Sequence, residues 1–145
     1  MPELTFQGRR VAYLERGGGV PLVLLHAGGS SGKQSVKTAS LLEDRFRVVA
    51  PDLWGFGLTE SWTGEESLTH DHQALLVAAV IEAVASGPAH LVGHSYGGAT
   101  ALRLALRRKD LVKTLILIEP IVTPLLRLAG EEQAFREYLD MARLS

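Results

Sequence analysis

Two patterns alternate along the chain: short runs that are apolar throughout, and longer segments with spaced apolar positions. Residues 3–7 and 10–16 read as two short strands joined at Gly8, a hairpin. "GGGVP" (17–21) is a turn, and "LVLLH" (22–26) has the continuous apolar character of a strand covered on both faces. "FRVVA" (46–50), "AHLVG" (89–93) and "VKTLILI" (112–118) read as three more strands, the first ended by Pro51. Residues 68–86 repeat apolar positions every three or four, the spacing of a helix, and Gly87-Pro88 ends it. Residues 33–44 and 96–109 also read as helices, with Ser30 or Ser31 as an N-cap for the first. "EPIVTP" breaks the pattern, and 131–143 forms a last amphipathic helix with Phe135, Leu139 and Ala142 on one side.

Strands that alternate with helices predict the α/β class: a mostly parallel, doubly wound sheet with helices on both faces. Ligands on such sheets sit at the carboxyl ends of the strands. The loops after residues 26, 50, 94 and 118 all fall at that edge. The loop 51–67 is rich in Gly, Thr, Ser and Trp, and loops of that length are uncommon without a function.

The length of 145 residues suits one domain with a real core. A formal charge of −1 without a basic run gives no reason to expect nucleic acid or a membrane surface as partner. "LLVAAVIEAVA" and "TLILIEPIVTPLL" are shorter than a membrane span and each carries a glutamate, so both read as core. The first ten residues lack the apolar stretch of a signal peptide, and there is no cysteine. A cytoplasmic protein without cofactor or metal is the expectation.

The chemistry concentrates at Gly93-His94-Ser95-Tyr96-Gly97, a G-x-S-x-G pattern between a strand and a helix. The glycines allow a sharp turn that presents the serine hydroxyl at the helix N-terminus, where amides and dipole favour negative charge. The alternative is an ordinary tight turn with an exposed serine. "HAGGSSGK" has a superficial likeness to a phosphate loop but lacks the G-x-x-x-x-G-K-[ST] spacing.

With "GHSYGG", the pieces "LLHAGGS", "PDLWGFGLTES" and "LILIEP" follow in an order and spacing that resemble the N-terminal half of the α/β-hydrolase superfamily, in its serine-esterase and haloperoxidase-like branch. The resemblance covers nearly the whole chain. It implies Ser95 as nucleophile, and the Tyr96 amide with the Gly28 amide as oxyanion hole, Gly29 being the second choice for that donor. Ala27 stands where the family usually has glycine. Trp54 stands where it often has arginine, either near the pocket mouth or packed on the surface. An aspartate nucleophile, as in dehalogenase and epoxide-hydrolase relatives, is excluded by Ser95.

A serine nucleophile needs a base. His90 begins its strand at the far end, His94 points away from Ser95 on the pleat, and His26 resembles a loop-organising histidine. His70 and His72, at the start of the helix after the long loop, are the candidate bases within the chain; a solvated helix start is their other reading. The resemblance implies a triad histidine, and in most members the acid, far downstream, with the sheet here truncated after its sixth strand and 131–143 as the start of a cap. Glu119 ends the strand after the nucleophile helix, where some branches carry the acid; a plain loop carboxylate is the alternative.

The expected function is therefore a serine hydrolase of a carboxylic ester or related acyl bond. Peracid formation, thioester cleavage and C–C hydrolysis are open to the same constellation. The rival is a non-catalytic half-domain used for binding or assembly. The partners expected are a small acyl substrate and either further copies of the chain or a complementing C-terminal polypeptide.

Overall fold

The computed structural model describes residues 1–144, with side chains through Met141. Six strands form one sheet: β1 (Glu3–Phe6), β2 (Arg9–Arg16), β3 (Val20–Leu25), β4 (Phe46–Pro51), β5 (Ala89–His94) and β6 (Val112–Ile118). Their order is β1-β2-β4-β3-β5-β6. β1 and β2 pair antiparallel, joined by Gln7-Gly8. Both turn residues have positive φ, 51° and 74°, which matches the twist a two-residue hairpin needs. β2 is antiparallel to β4, and from β4 to β6 every pairing is parallel.

The pleat sorts the core into two layers. Val23 and Leu25 face a layer with Val49 and Leu91, covered by helices α2 (His70–Val84) and α3 (Tyr96–Arg107). Leu22 and Leu24 face the other side with Val48 and Ala50, under Ala39 of α1 (Val36–Leu42). Helices on both faces of a mostly parallel sheet were the expectation, and this is the α/β arrangement it described. The chain leaves β3 for α1 and β4, and leaves β5 for α3 and β6, in opposite directions from the middle of the sheet. The order reverses between β3 and β5, and ligand sites on such sheets lie outside the carboxyl ends of the strands at such a reversal.

Several boundaries differ from the sequence reading. The helix expected over 33–44 starts with a 3-10 turn, Gly32–Ser35, and Ser31 is its N-cap, accepting from the Lys33 amide. Gly32 is pressed against the Ala50 carbonyl: a Cβ there would lie 2.5 Å from that oxygen. α2 begins two residues late because Thr69 and His72 close a capping box ahead of it. After the expected break, Pro124 opens a short helix, α4 (Pro124–Leu128), since proline fits a first helical turn. α5 (Glu132–Leu144) follows. Phe135 on it is half-buried and Leu139 exposed, while the side chain of Ala142 lies outside the described residues.

Trp54 needs a correction. It is neither at a pocket mouth nor on the surface but wholly buried, between Phe6 of the hairpin and Trp62 of the long loop. Its Nε1 is a buried side-chain donor without a partner among the described residues. Burial of an indole is worth about 4–6 kcal/mol, from 150–250 Å² at 25 cal/mol per Å². An unmade hydrogen bond costs about 1–3 kcal/mol, so burial wins.

Candidate active site

β5 runs directly into the turn at Ser95, whose φ of 53° and ψ of −112° lie outside the ordinary L-residue wells. Strain of this kind costs about 1–3 kcal/mol and persists only where the surroundings enforce it. Here they do. The Ser95 N–H donates to the Ile118 carbonyl at the end of β6 (2.9 Å), and the Ser95 carbonyl accepts from Ala99 and Ile121 (both 3.2 Å). The Gly97 N–H donates to the His26 carbonyl at the end of β3 (3.1 Å). Contact this close requires glycine: a Cβ on Gly97 would lie 2.5 Å from the His26 carbonyl oxygen. The Ser95 side chain, half-buried, caps none of the α3 amides, so its hydroxyl is not consumed by the helix it starts.

The loop after β3 is fixed with the same economy. His26 is fully buried. Its Nε2 lies 3.1 Å from the Leu53 N–H, which can only donate, so Nε2 is the acceptor. The ring proton is therefore on Nδ1, which donates to the Ala27 carbonyl (2.8 Å). The Ser30 N–H donates to the same carbonyl (3.2 Å). A trans peptide is planar, so fixing the Ala27 carbonyl aims the Gly28 N–H the opposite way. A Cβ on Gly28 would sit 3.5 Å from the Tyr96 Cβ, which puts the loop beside the start of α3. Neither the Gly28 nor the Tyr96 amide has a hydrogen-bond partner among the described residues.

Burial lowers the pKa of His26 below its ordinary 6.5, although the Ala27 hydrogen bond and Asp52 oppose the shift. His70 is lowered as well, by burial first and by Arg103 second. A histidine with a depressed folded pKa takes up its proton more readily when unfolded. The stability at stake is intact above pH 6.5, is lost as pH falls from there through the folded pKa, and does not return below it. We expect the urea unfolding free energy to be level above pH 7 and to drop as pH falls below 6.5. His26→Gln should reduce that slope, leaving the part that His70 contributes, while lowering the plateau by about 2–4 kcal/mol, since two buried bonds are disturbed. An unchanged slope in the variant would mean that His26 is not the titrating group.

The two candidate bases occupy different surroundings. His72 serves its helix: its Nδ1 accepts from the Thr69 N–H (3.0 Å), its ring stacks on Trp62, and its Nε2 lies 3.4 Å from Glu66. His70 packs on the Tyr96 ring, centroids 4.5 Å apart, with Nδ1 2.9 Å from the Thr100 hydroxyl. It borders an apolar cleft of about 440 Å³ with Ala99, Leu102, Ile121, Val122 and Leu125; Ser95 does not line it. His90 pairs with Thr114 and His94 with Gln34, both on the α1 face. Glu119 is exposed, directly after β6, with a left-handed φ of 44°. The structure thus brings Ser95, Gly28, Tyr96 and the backbone of Glu119 to one edge.

Three further residues organise this edge and escape a reading of the sequence. Asp52, 2% exposed, accepts from the Gly32 and Leu58 amides (2.7 and 2.8 Å) and so joins two loops. Gln73 holds the Trp54 backbone at both its N–H and its carbonyl and donates to the Tyr96 hydroxyl (3.1 Å). A glutamine on the apolar stripe of 68–86 was the available signal for it. Gln34 is the third.

A family model described as the alpha/beta hydrolase fold matches residues 20–141. The chain belongs to the α/β-hydrolase superfamily. Among its curated relatives, a soluble epoxide hydrolase of Corynebacterium sp. (strain C12) is 34% identical over 120 residues, covering 82% of this chain and 41% of that protein. A 2-hydroxymuconate semialdehyde hydrolase of Pseudomonas sp. (strain CF600) is 32% identical, covering 80% and 42%. Among solved structures, a thermophilic esterase from Thermogutta terrifontis superposes with a TM-score of 0.76 at 27% identity, covering 83% of this chain and 46% of that one. The chain spans less than half the length of these relatives. Among the described residues, no helix is long and apolar enough to cross a membrane.

Proposed function

We propose that this α/β-hydrolase chain carries the nucleophile and oxyanion hole of a serine hydrolase acting on a carboxylic ester or related acyl bond. The observation that carries this reading is the strained Ser95 with a free hydroxyl, next to two unpartnered amides from separate elements. Ser95 Oγ attacks the carbonyl carbon and its proton passes to a histidine. The Gly28 and Tyr96 amides hold the resulting oxyanion. The histidine then protonates the departing alcohol, and water releases the acyl group by the same steps. Position 95 is serine, so the activity in the name of the epoxide-hydrolase relative is not carried over.

The histidine in this scheme comes from a complementing polypeptide that joins the sheet beside β6: His72 is held at Nδ1 by its helix cap with Glu66 beside Nε2, and His70 borders a cleft that Ser95 does not line. Glu119, leaving the sheet one residue after the carbonyl that holds Ser95, orients that imidazole. Covalent chemistry is the test. A fluorophosphonate should add to the peptide containing Ser95, faster once a complementing C-terminal polypeptide is supplied. No adduct under either condition would favour a binding or assembly role instead.

The same reading predicts self-association of the isolated chain. Among the described residues β6 pairs with β5 alone, leaving its outer edge unpaired, and Ile116 and Ile118 are 56% and 48% exposed. On that face a groove of about 320 Å³ is lined by Leu22, Leu24, Leu42, Phe46, Val92 and Ile116. An apolar edge strand beside an apolar groove templates pairing. Sedimentation equilibrium at micromolar concentration should give a dimer or larger species. A monomer that binds no hydrophobic dye would overturn the prediction.

A further inference from the structure

One side chain bridges the two segments that carry the proposed chemistry. Gln34 sits on the 3-10 turn before α1, and its Oε1 accepts the Ala27 N–H at 2.9 Å. Its Nε2 lies 2.9 Å from Nδ1 of His94. Ala27 immediately precedes Gly28, and His94 immediately precedes Ser95. The roles in this bridge follow from one fact. A backbone N–H only donates, so the Gln34 oxygen must face Ala27 and its amide group must face His94. Nδ1 of His94 is then an acceptor, and the ring carries its proton on Nε2.

We infer that Gln34 is a positioning residue for the oxyanion hole, holding the Gly28 amide in register with Ser95. This rests on the serine-hydrolase reading above. The peptide between His26 and Ala27 is held at its carbonyl by the Gly97 N–H and at its N–H by Gln34. The next peptide is held at its carbonyl by His26 and Ser30, leaving only the Gly28 N–H uncommitted. Gln34 therefore closes the last open backbone group ahead of the donor. Its own support is stiff: Gly32, two residues earlier, is anchored by Asp52 and pressed on Ala50. Without Gln34 the Ala27 N–H turns to solvent and the loop can rotate. A donor misplaced by about 1 Å costs up to about 100-fold in rate. Ala27 itself, standing in a glycine-rich loop, narrows the backbone choices further.

The test uses Gln34→Leu and Gln34→Glu in the whole chain. Glutamate keeps an acceptor for Ala27 but has no donor for His94. In Gln34→Leu we expect Ala27 amide exchange at least about tenfold faster, a shifted Gly28 amide resonance and a 10- to 100-fold slower fluorophosphonate reaction. In Gln34→Glu the Ala27 protection and the labelling rate should recover, while the His94 ring ¹⁵N shifts move as the carboxylate draws a proton to Nδ1. Unchanged Gly28 and Ala27 amides in Gln34→Leu would overturn the inference, whatever the labelling does. If the wild type is labelled neither alone nor with a complementing C-terminal polypeptide, the serine reading fails and the amide signals alone decide whether Gln34 fixes the loop. Thermal unfolding of both variants separates a local effect from loss of fold.

Discussion

Ser95→Ala is expected to abolish fluorophosphonate labelling altogether and to lower the hydrolysis of a p-nitrophenyl ester by several orders of magnitude in the complemented protein. The oxyanion amides survive the substitution, so a residual rate of about 10³–10⁴ over water is expected to remain. The isolated chain, without the complementing polypeptide, should start near that floor and change less. This contrast is itself informative. Alanine removes the attacking oxygen without adding bulk, yet it keeps the Cβ at the strained φ of 53°, so the fold should tolerate it. Removing a half-buried hydroxyl that caps no amide of its helix is worth under about 0.5 kcal/mol, as for surface substitutions in general. Unchanged turnover in Ser95→Ala, with intact unfolding behaviour, would remove this serine from the chemistry.

Gly97→Ala should do the opposite, destabilising the fold itself. The added Cβ would meet the His26 oxygen at 2.5 Å, the Leu25 oxygen at 2.6 Å and the Leu25 carbonyl carbon at 2.7 Å. All three are backbone atoms of the central strand β3 and its exit, which cannot swing aside as a long side chain would. Relief requires α3 to lift from the sheet, breaking the Gly97–His26 hydrogen bond and opening the Ala101 and Leu104 contacts beneath. Overpacking usually costs 1–3 kcal/mol, and an obstruction by backbone sits at or above the top of that range, about 3 kcal/mol. At about 2–4 °C per kcal/mol for a chain of this size, Tm should fall by about 6–12 °C. Gly87→Ala is the control: nothing lies within 4 Å of its Cβ position, and its Tm should move by less than about 2 °C. Equal effects from the two substitutions would mean that close approach at the elbow is not what stabilises it.

The order of strands and helices was legible because each element carries its own period. "LVLLH" can be covered on both faces only as an inner strand, and the stripe along 68–86 can be buried only as a helix. The turn at Ser95 was legible for the same reason: the glycines that permit it lie within two or three residues of it. What local sequence could not determine is which distant group completes each residue. Trp54 has an arginine-like address and yet lies in the core, because Phe6, 48 residues away, and Trp62 enclose it. Gln34 reads as an ordinary polar helix residue, and only the parallel pairing of β3 with β5 brings Ala27 and His94 to its two ends. The edge position of β6 and the left-handed turn at Glu119 follow from the sheet order and from the bond between Ser95 and Ile118. Periodicity and glycine placement act over a few residues, so the sequence determined the elements and the turn at Ser95. Hydrogen bonds to buried amides join residues tens of positions apart, so only the tertiary structure decided which side chains hold that turn and its neighbouring loop in place.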